Sequence, residues 1–139
     1  MKILILEDDR HLLDLLTRNM MMYGDCYATD NGADAVRAFD EAMTSHEPFD
    51  IALLDVMLPG MSGYEVLEYI RHIEAKWKRD GLKGAKVIMV TALNSSKNIL
   101  QAFRENCEGY LTKPYTTDEL NDVLNKLGIY KQREYQSSK

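Results

Sequence analysis

The sequence predicts an α/β protein: a doubly wound sheet of five parallel strands alternating with five helices. Three observations predict it. Short, continuous apolar runs recur along the chain, as expected of strands buried on both faces of a parallel sheet. Between them lie apolar stripes at helical spacing. The central run, Ile51-Ala52-Leu53-Leu54, stops at Asp55 and is followed by a Pro59-Gly60 turn, which places an acidic residue at a strand's carboxyl end.

Taken in order, Ile3-Leu4-Ile5-Leu6 is the first strand and ends abruptly in Glu7-Asp8-Asp9. Leu12, Leu13, Leu16 and Met20 recur at helical spacing, so the first helix runs from about residue 10 to residue 23, where Gly24 stops it. Cys26-Tyr27-Ala28 is a weaker, partly polar run suited to an edge strand. Asn31 caps a second helix with an apolar face of Ala35, Val36, Phe39, Ala42 and Met43, broken at His46-Glu47-Pro48. After the central strand, Ser62 and Glu65 form a capping box. The third helix then carries Val66, Ile70, Ile73 and Trp77 and is expected to end near Asp80-Gly81.

Val87-Ile88-Met89-Val90 is the fourth strand and ends in Thr91. Asn94-Ser95-Ser96 opens a shorter helix with Ile99, Leu100 and Phe103. Gly109-Tyr110-Leu111-Thr112 is a brief fifth strand leading into Lys113-Pro114. Thr116 and Glu119 make a second capping box for a final helix on Leu120, Val123, Leu124 and Leu127, ended by Gly128. The domain is expected to span 1–128, with 129–139 a polar tail. The first, third and fourth strands, being the most apolar, should be central.

Composition narrows the function. A chain of 139 residues holds one domain, and 45% hydrophobic with 28% charged residues is ordinary for a soluble one. A net charge of −5 gives no reason to expect nucleic-acid contact. No window is long and apolar enough for a membrane span, and the amino terminus is too short an apolar run for a secretory signal, so a cytoplasmic location is expected. Cys26 and Cys107 have no Cys or His at ligand spacing and are expected to be buried thiols.

In a parallel sheet all strand carboxyl ends point one way, so Glu7, Asp8, Asp9, Asp55, Thr91 and Lys113 are expected on one rim. Carboxylates that close repel one another and bind protons or a cation. Oxygen donors without His or Cys suit a hard ion, and their small number favours Mg²⁺ over a Ca²⁺ cage. Asp9 reads better as a cap for the helix that follows.

The series Ile-Leu-Ile-Leu-Glu7-Asp8, Leu-Leu-Asp55-Val-Met-Leu-Pro59-Gly, Val-Thr91-Ala and Tyr110-Leu-Thr-Lys113-Pro114 resembles the receiver domain of two-component response regulators, over nearly the whole of residues 2–127. The chain is most similar to a single-domain receiver of the chemotaxis-regulator kind. That resemblance implies a flavodoxin-like strand order, 2-1-3-4-5, with five helices on both faces. It also implies that Asp55 is the phosphoacceptor, attacking a phosphohistidine to give an acyl phosphate. Mg²⁺ would be held by Asp8, Asp55 and the backbone carbonyl of Met57, with Glu7 orienting a metal-bound water. Lys113 would pair with a phosphoryl oxygen and Pro114, after a cis bond, would aim it. Thr91 and Tyr110 would form the switch pair.

The implied partners are a sensor histidine kinase or phosphotransfer protein and a downstream protein target, met by the face of the fourth helix, fifth strand and fifth helix. The chain would catalyse only its own phosphorylation and dephosphorylation, as a monomer or a weak phosphorylation-dependent dimer. The final helix lacks the arginine-rich pattern that resembles dimerising transcriptional receivers, so a stand-alone receiver is expected rather than the excised front of a longer regulator. Two rival readings fit less well. A haloacid-dehalogenase-type phosphatase resembles an Asp followed two residues on by another, where this chain has Met57. A flavodoxin-like cofactor binder would need a phosphate loop after the first strand, where carboxylates would repel phosphate.

Overall fold

The apolar runs form strands because their residues alternate between two buried faces, and each strand's backbone is paired along its length. The computed structural model describes residues 1–79, 83–92 and 106–132. Strands β1 (Lys2–Leu6), β2 (Asp25–Thr29), β3 (Ile51–Asp55), β4 (Lys86–Ala92) and β5 (Gly109–Lys113) make one parallel sheet in the order β2-β1-β3-β4-β5. β2, the partly polar run, lies at an edge as expected.

Four helices stand among the described residues: α1 (Arg10–Met20), α2 (Gly32–Thr44), α3 (Gly63–Lys76) and α4 (Thr117–Lys126). The helix expected on Ile99, Leu100 and Phe103 lies outside the described residues. Helices α2 and α3 cover Leu4, Leu6, Ala52, Leu54, Val87 and Met89 on one face of the sheet. On the other, α1 and α4 cover Ile3, Ile5, Ile51, Leu53, Ile88 and Val90. Each such buried aliphatic side chain contributes about 1.5–3 kcal/mol.

The caps follow the local sequence. Asp9 accepts from the N–H groups of His11 and Leu12 at the start of α1, and Asn31 accepts from Asp34 N–H at the start of α2. Both expected capping boxes, Ser62 with Glu65 and Thr116 with Glu119, are formed. Three helices end alike. After α2, α3 and α4 a residue in the left-handed region follows the cap: His46 (φ 62°), Lys78 (φ 58°) and Gly128 (φ 80°). The next N–H reaches back to the same relative carbonyl each time, Glu47 to Ala42, Arg79 to Glu74 and Ile129 to Leu124, the Schellman pattern.

Four expectations are corrected. Helix α3 ends at Lys76, short of Asp80-Gly81, because the turn through Lys78 satisfies its last carbonyls. Trp77 is therefore no core residue; it caps α3, is 39% exposed and sets its ring edge against His46. Helix α1 ends at Met20, and Gly24 serves another purpose: a Cβ there would stand 2.4 Å from the Met1 carbonyl oxygen. Cys26 and Cys107 are half-buried, not buried. Beyond α4, Ile129 is 3% exposed within the core and Gln132 N–H bonds the Met22 carbonyl, so the chain stays packed past Gly128. No helix among the described residues is long and apolar enough to cross a membrane.

Candidate functional site

The register of the sheet assembles the site. Leu6 stands opposite Leu54, so the residues that follow them, Glu7 and Asp55, emerge side by side at the carboxyl rim. Ala92 stands opposite Lys113, which brings the lysine to the same rim from β5. The backbone is tied down on both sides, with Glu7 N–H on the Thr29 carbonyl and Val56 N–H on the Val90 carbonyl.

Glu7, Asp8 and Asp55 each offer a carboxylate oxygen, all within 4.8 Å of one another. Glu7 and Asp55 are almost fully buried, 1% and 2% exposed, and Asp8 is exposed. The Lys113 ammonium lies 2.8 Å from Glu7 Oε1 and 3.4 Å from Asp55 Oδ2. Glu7 Oε2 accepts from Asp9 N–H at 3.1 Å, and Asp55 Oδ1 accepts from Met57 N–H at 3.2 Å. Among the described residues Asp55 Oδ2 accepts no hydrogen bond; its contact with Lys113 is an ion pair, long for a hydrogen bond.

The electrostatics follow from that crowding. Burial pushes the Asp55 carboxyl up, and the neighbouring Glu7 charge adds to it; against the pull of Lys113 and the Met57 N–H it reaches about 7. Burial pulls Lys113 down, yet its bond to Glu7 and the Asp55 charge outweigh this and hold it above its ordinary value. Tyr115 is raised by burial first and by the Glu7 charge second. An all-oxygen donor set with a buried, unpartnered carboxylate oxygen fits a hard divalent ion such as Mg²⁺.

Of the other expected site residues, Thr91 is 2% exposed near the end of β4 and its hydroxyl approaches the Ala92 carbonyl at 3.4 Å. Tyr110 is half-buried against the core beneath α2 and α3. It is paired with Met89, two residues before Thr91, so Thr91 and Tyr110 share that face of the sheet. The Lys113–Pro114 bond is cis. Met57 is 68% exposed beside the carboxylates. Asp9 is not one of the close carboxylates; it is spent on capping α1.

Sequence reasoning missed Gly63. A Cβ there would stand 2.1 Å from the Asp55 carbonyl oxygen, so its lack of a side chain lets α3 start directly against the acidic strand end. The signal was a glycine in the first turn of a helix, where nearly any other residue forms helix better. Also unforeseen is a groove of about 370 Å³ beside Lys113, lined by Leu12, Leu15, Leu16, Pro114 and Tyr115.

Comparison with known proteins gives one family. The family model of the response regulator receiver domain matches residues 3–125. Among solved structures, the chain is 25% identical to the signal receiver domain of a Luxo repressor protein from Vibrio parahaemolyticus, covering 90% of this chain and 87% of that one with a TM-score of 0.69. It shares its fold with a response regulator receiver domain protein from Clostridium thermocellum (23% identity, 91% and 96% covered, TM-score 0.69). The same holds for the chemotaxis protein CheY4 of Vibrio cholerae (19% identity, 90% and 96% covered, TM-score 0.69).

Proposed function

Because the chain belongs to the response regulator receiver domain family of two-component signalling, we propose that it takes a phosphoryl group on Asp55 from a histidine kinase or phosphotransfer protein and reports it to a protein target. The observation that carries this is Asp55 Oδ2, a buried carboxylate oxygen without a hydrogen bond among the described residues, facing a lysine inside an acidic cluster. Met57 N–H holds Oδ1 and so leaves Oδ2 as the nucleophile. The Oδ2–phosphorus bond forms as the donor's phosphorus–nitrogen bond breaks; the electron pair leaves with the imidazole, which takes a proton from solvent. The product is an acyl phosphate on Asp55.

Asp8 and Asp55, with the Met57 backbone carbonyl, are the residues that would hold Mg²⁺, and Glu7 beside them would orient a water bound to it. When bound, it neutralises charge on the phosphoryl oxygens. Lys113, drawn by the new negative charge, pairs with a phosphoryl oxygen. Pro114 fixes where its stem leaves β5. The apolar groove beside Lys113 gives a donor protein a surface to rest on within reach of Oδ2. Thr91, close to the acceptor in the sheet, turns its hydroxyl to the phosphoryl group, and half-buried Tyr110 packs further inward behind it, which alters the surface around β5. The only catalysis proposed is on the chain itself, in the cytoplasm, by a domain spanning 1–128.

Intact-mass spectrometry after incubation with acetyl phosphate and Mg²⁺ tests the reading without knowledge of the donor. One phosphoryl group is expected on the wild type and none on Asp55→Asn. Equal labelling of both would refute the acceptor assignment.

A further inference from the structure

Of the two buried carboxylates at the rim, Glu7 is the better satisfied and Asp55 the worse. Both Glu7 oxygens are engaged, one by the Lys113 ammonium at 2.8 Å and one by Asp9 N–H at 3.1 Å. Asp55, equally buried, has its Oδ2 in an ion pair with the same ammonium at 3.4 Å and without a hydrogen bond among the described residues. A mobile lysine between two buried carboxylates closes on the one that can reach it in hydrogen-bonding geometry. From β1, that one is Glu7.

We propose that Glu7 is a positioning residue that holds Lys113 out of hydrogen-bonding geometry with the phosphoacceptor, leaving the Asp55 Oδ2 lone pairs for a divalent cation and for phosphorus. The inference rests on the proposed acceptor chemistry and adds a role to Glu7 other than contact with the metal or its water. Its consequence is an interaction between two residues. With Glu7 neutralised, the ammonium has one buried anion left within reach and closes on Asp55 Oδ2, where it competes with the cation. With Lys113 also gone, nothing remains to close, and Glu7 matters little to cation binding.

A double-mutant cycle on Mg²⁺ affinity, measured by isothermal titration calorimetry of the unphosphorylated protein, tests this with Glu7→Gln, Lys113→Met and the pair. Glu7→Gln keeps the shape of the side chain and its acceptor for Asp9 N–H, and it relieves like-charge repulsion, so the variant should fold; circular dichroism checks it. Glu7→Gln is expected to weaken Mg²⁺ binding about ten-fold with Lys113 present and by less than about three-fold in the Lys113→Met background. The same loss in both backgrounds would make Glu7 a direct participant in cation binding and overturn the positioning role alone. A crystal structure of Glu7→Gln gives an independent reading: Lys113 Nζ is expected within about 3 Å of Asp55 Oδ2. A lysine still seated on residue 7 would overturn the proposal too. No Mg²⁺ binding by the wild type would remove both this proposal and the metal-dependent reading beneath it.

Discussion

Asp55 is a carboxylate held where its charge is unwelcome, and that has a measurable sign. Burial first, and Glu7 second, raise its pKa from 3.8 to about 7. Between those two values the folded chain carries a proton that the unfolded chain has lost, so stability falls as pH rises through that window. The penalty is absent below about pH 4 and complete above about pH 7. Each pKa unit is worth about 1.4 kcal/mol, which bounds it near ~4 kcal/mol. Asp55→Asn keeps the shape and removes the charge. Without divalent cations it is expected to stabilise the protein by about 1–3 kcal/mol at pH 8, and the gain should vanish toward pH 4. Thermal unfolding followed by circular dichroism at the two pH values checks this; a gain independent of pH would contradict the cause given. Asp8, Asp55 and Lys113 were legible as rim residues because each stands at or just past the carboxyl end of an apolar run. The partners they choose were not. Which carboxylate the ammonium closes on depends on side-chain reach across the sheet, and nothing local in the sequence encodes that.

At the scale of elements, starts of helices were easier to read than ends. Ser62, Thr116, Asn31 and Asp9 are side chains whose chemistry caps a helix, and each does. Two ends were misread: Gly24 is not the stop of α1, which ends at Met20, and Lys78 takes the left-handed turn that closes α3, so the apolar stripe ran on through Trp77 past the true end. Long-range polar ties were also illegible. Arg71 on α3 bonds Glu74, which is 1% exposed, together with Glu108 and the Asn106 and Ala85 carbonyls. Only the Arg71–Glu74 spacing hinted at it. The tightest junction is Gly63 against the Asp55 carbonyl. Gly63→Ala is expected to destabilise the fold by about 1–3 kcal/mol, since the clash is with backbone and α3 must back away. That retreat drags the acidic strand end, so phosphorylation by acetyl phosphate should slow several-fold even where the variant is fully folded. Urea unfolding and the mass assay together separate the two effects. An unchanged midpoint would show that the junction yields more easily than its geometry implies.

Over the whole molecule, a parallel sheet makes remote residues neighbours, and that was the most legible property of the chain. Apolar runs announced strands, alternation with helical stripes announced parallel pairing, and the polarity of the second run placed it at the edge, where it lies. The price of convergence is that the fold concentrates carboxylates at one rim: Glu7, Asp8 and Asp55 offer oxygens within 4.8 Å of one another, two of the residues buried, with the Lys113 ammonium among them. The unfolded chain has no such cluster, because Asp55 and Lys113 lie far in sequence from Glu7 and Asp8. A divalent cation should therefore bind the folded state and scarcely the unfolded one, and raise stability by mass action. At ten times its dissociation constant, Mg²⁺ is expected to add about 1.4 kcal/mol, a rise of roughly 3–6 °C in the unfolding midpoint for a chain of this size. The rise should be absent with Na⁺ at equal ionic strength, since general screening is not its cause. It should be much reduced in Asp8→Asn, which removes one carboxylate of the cluster while leaving the Glu7–Lys113 contact in place. A midpoint that rises equally in Asp8→Asn would place the cation somewhere other than this rim.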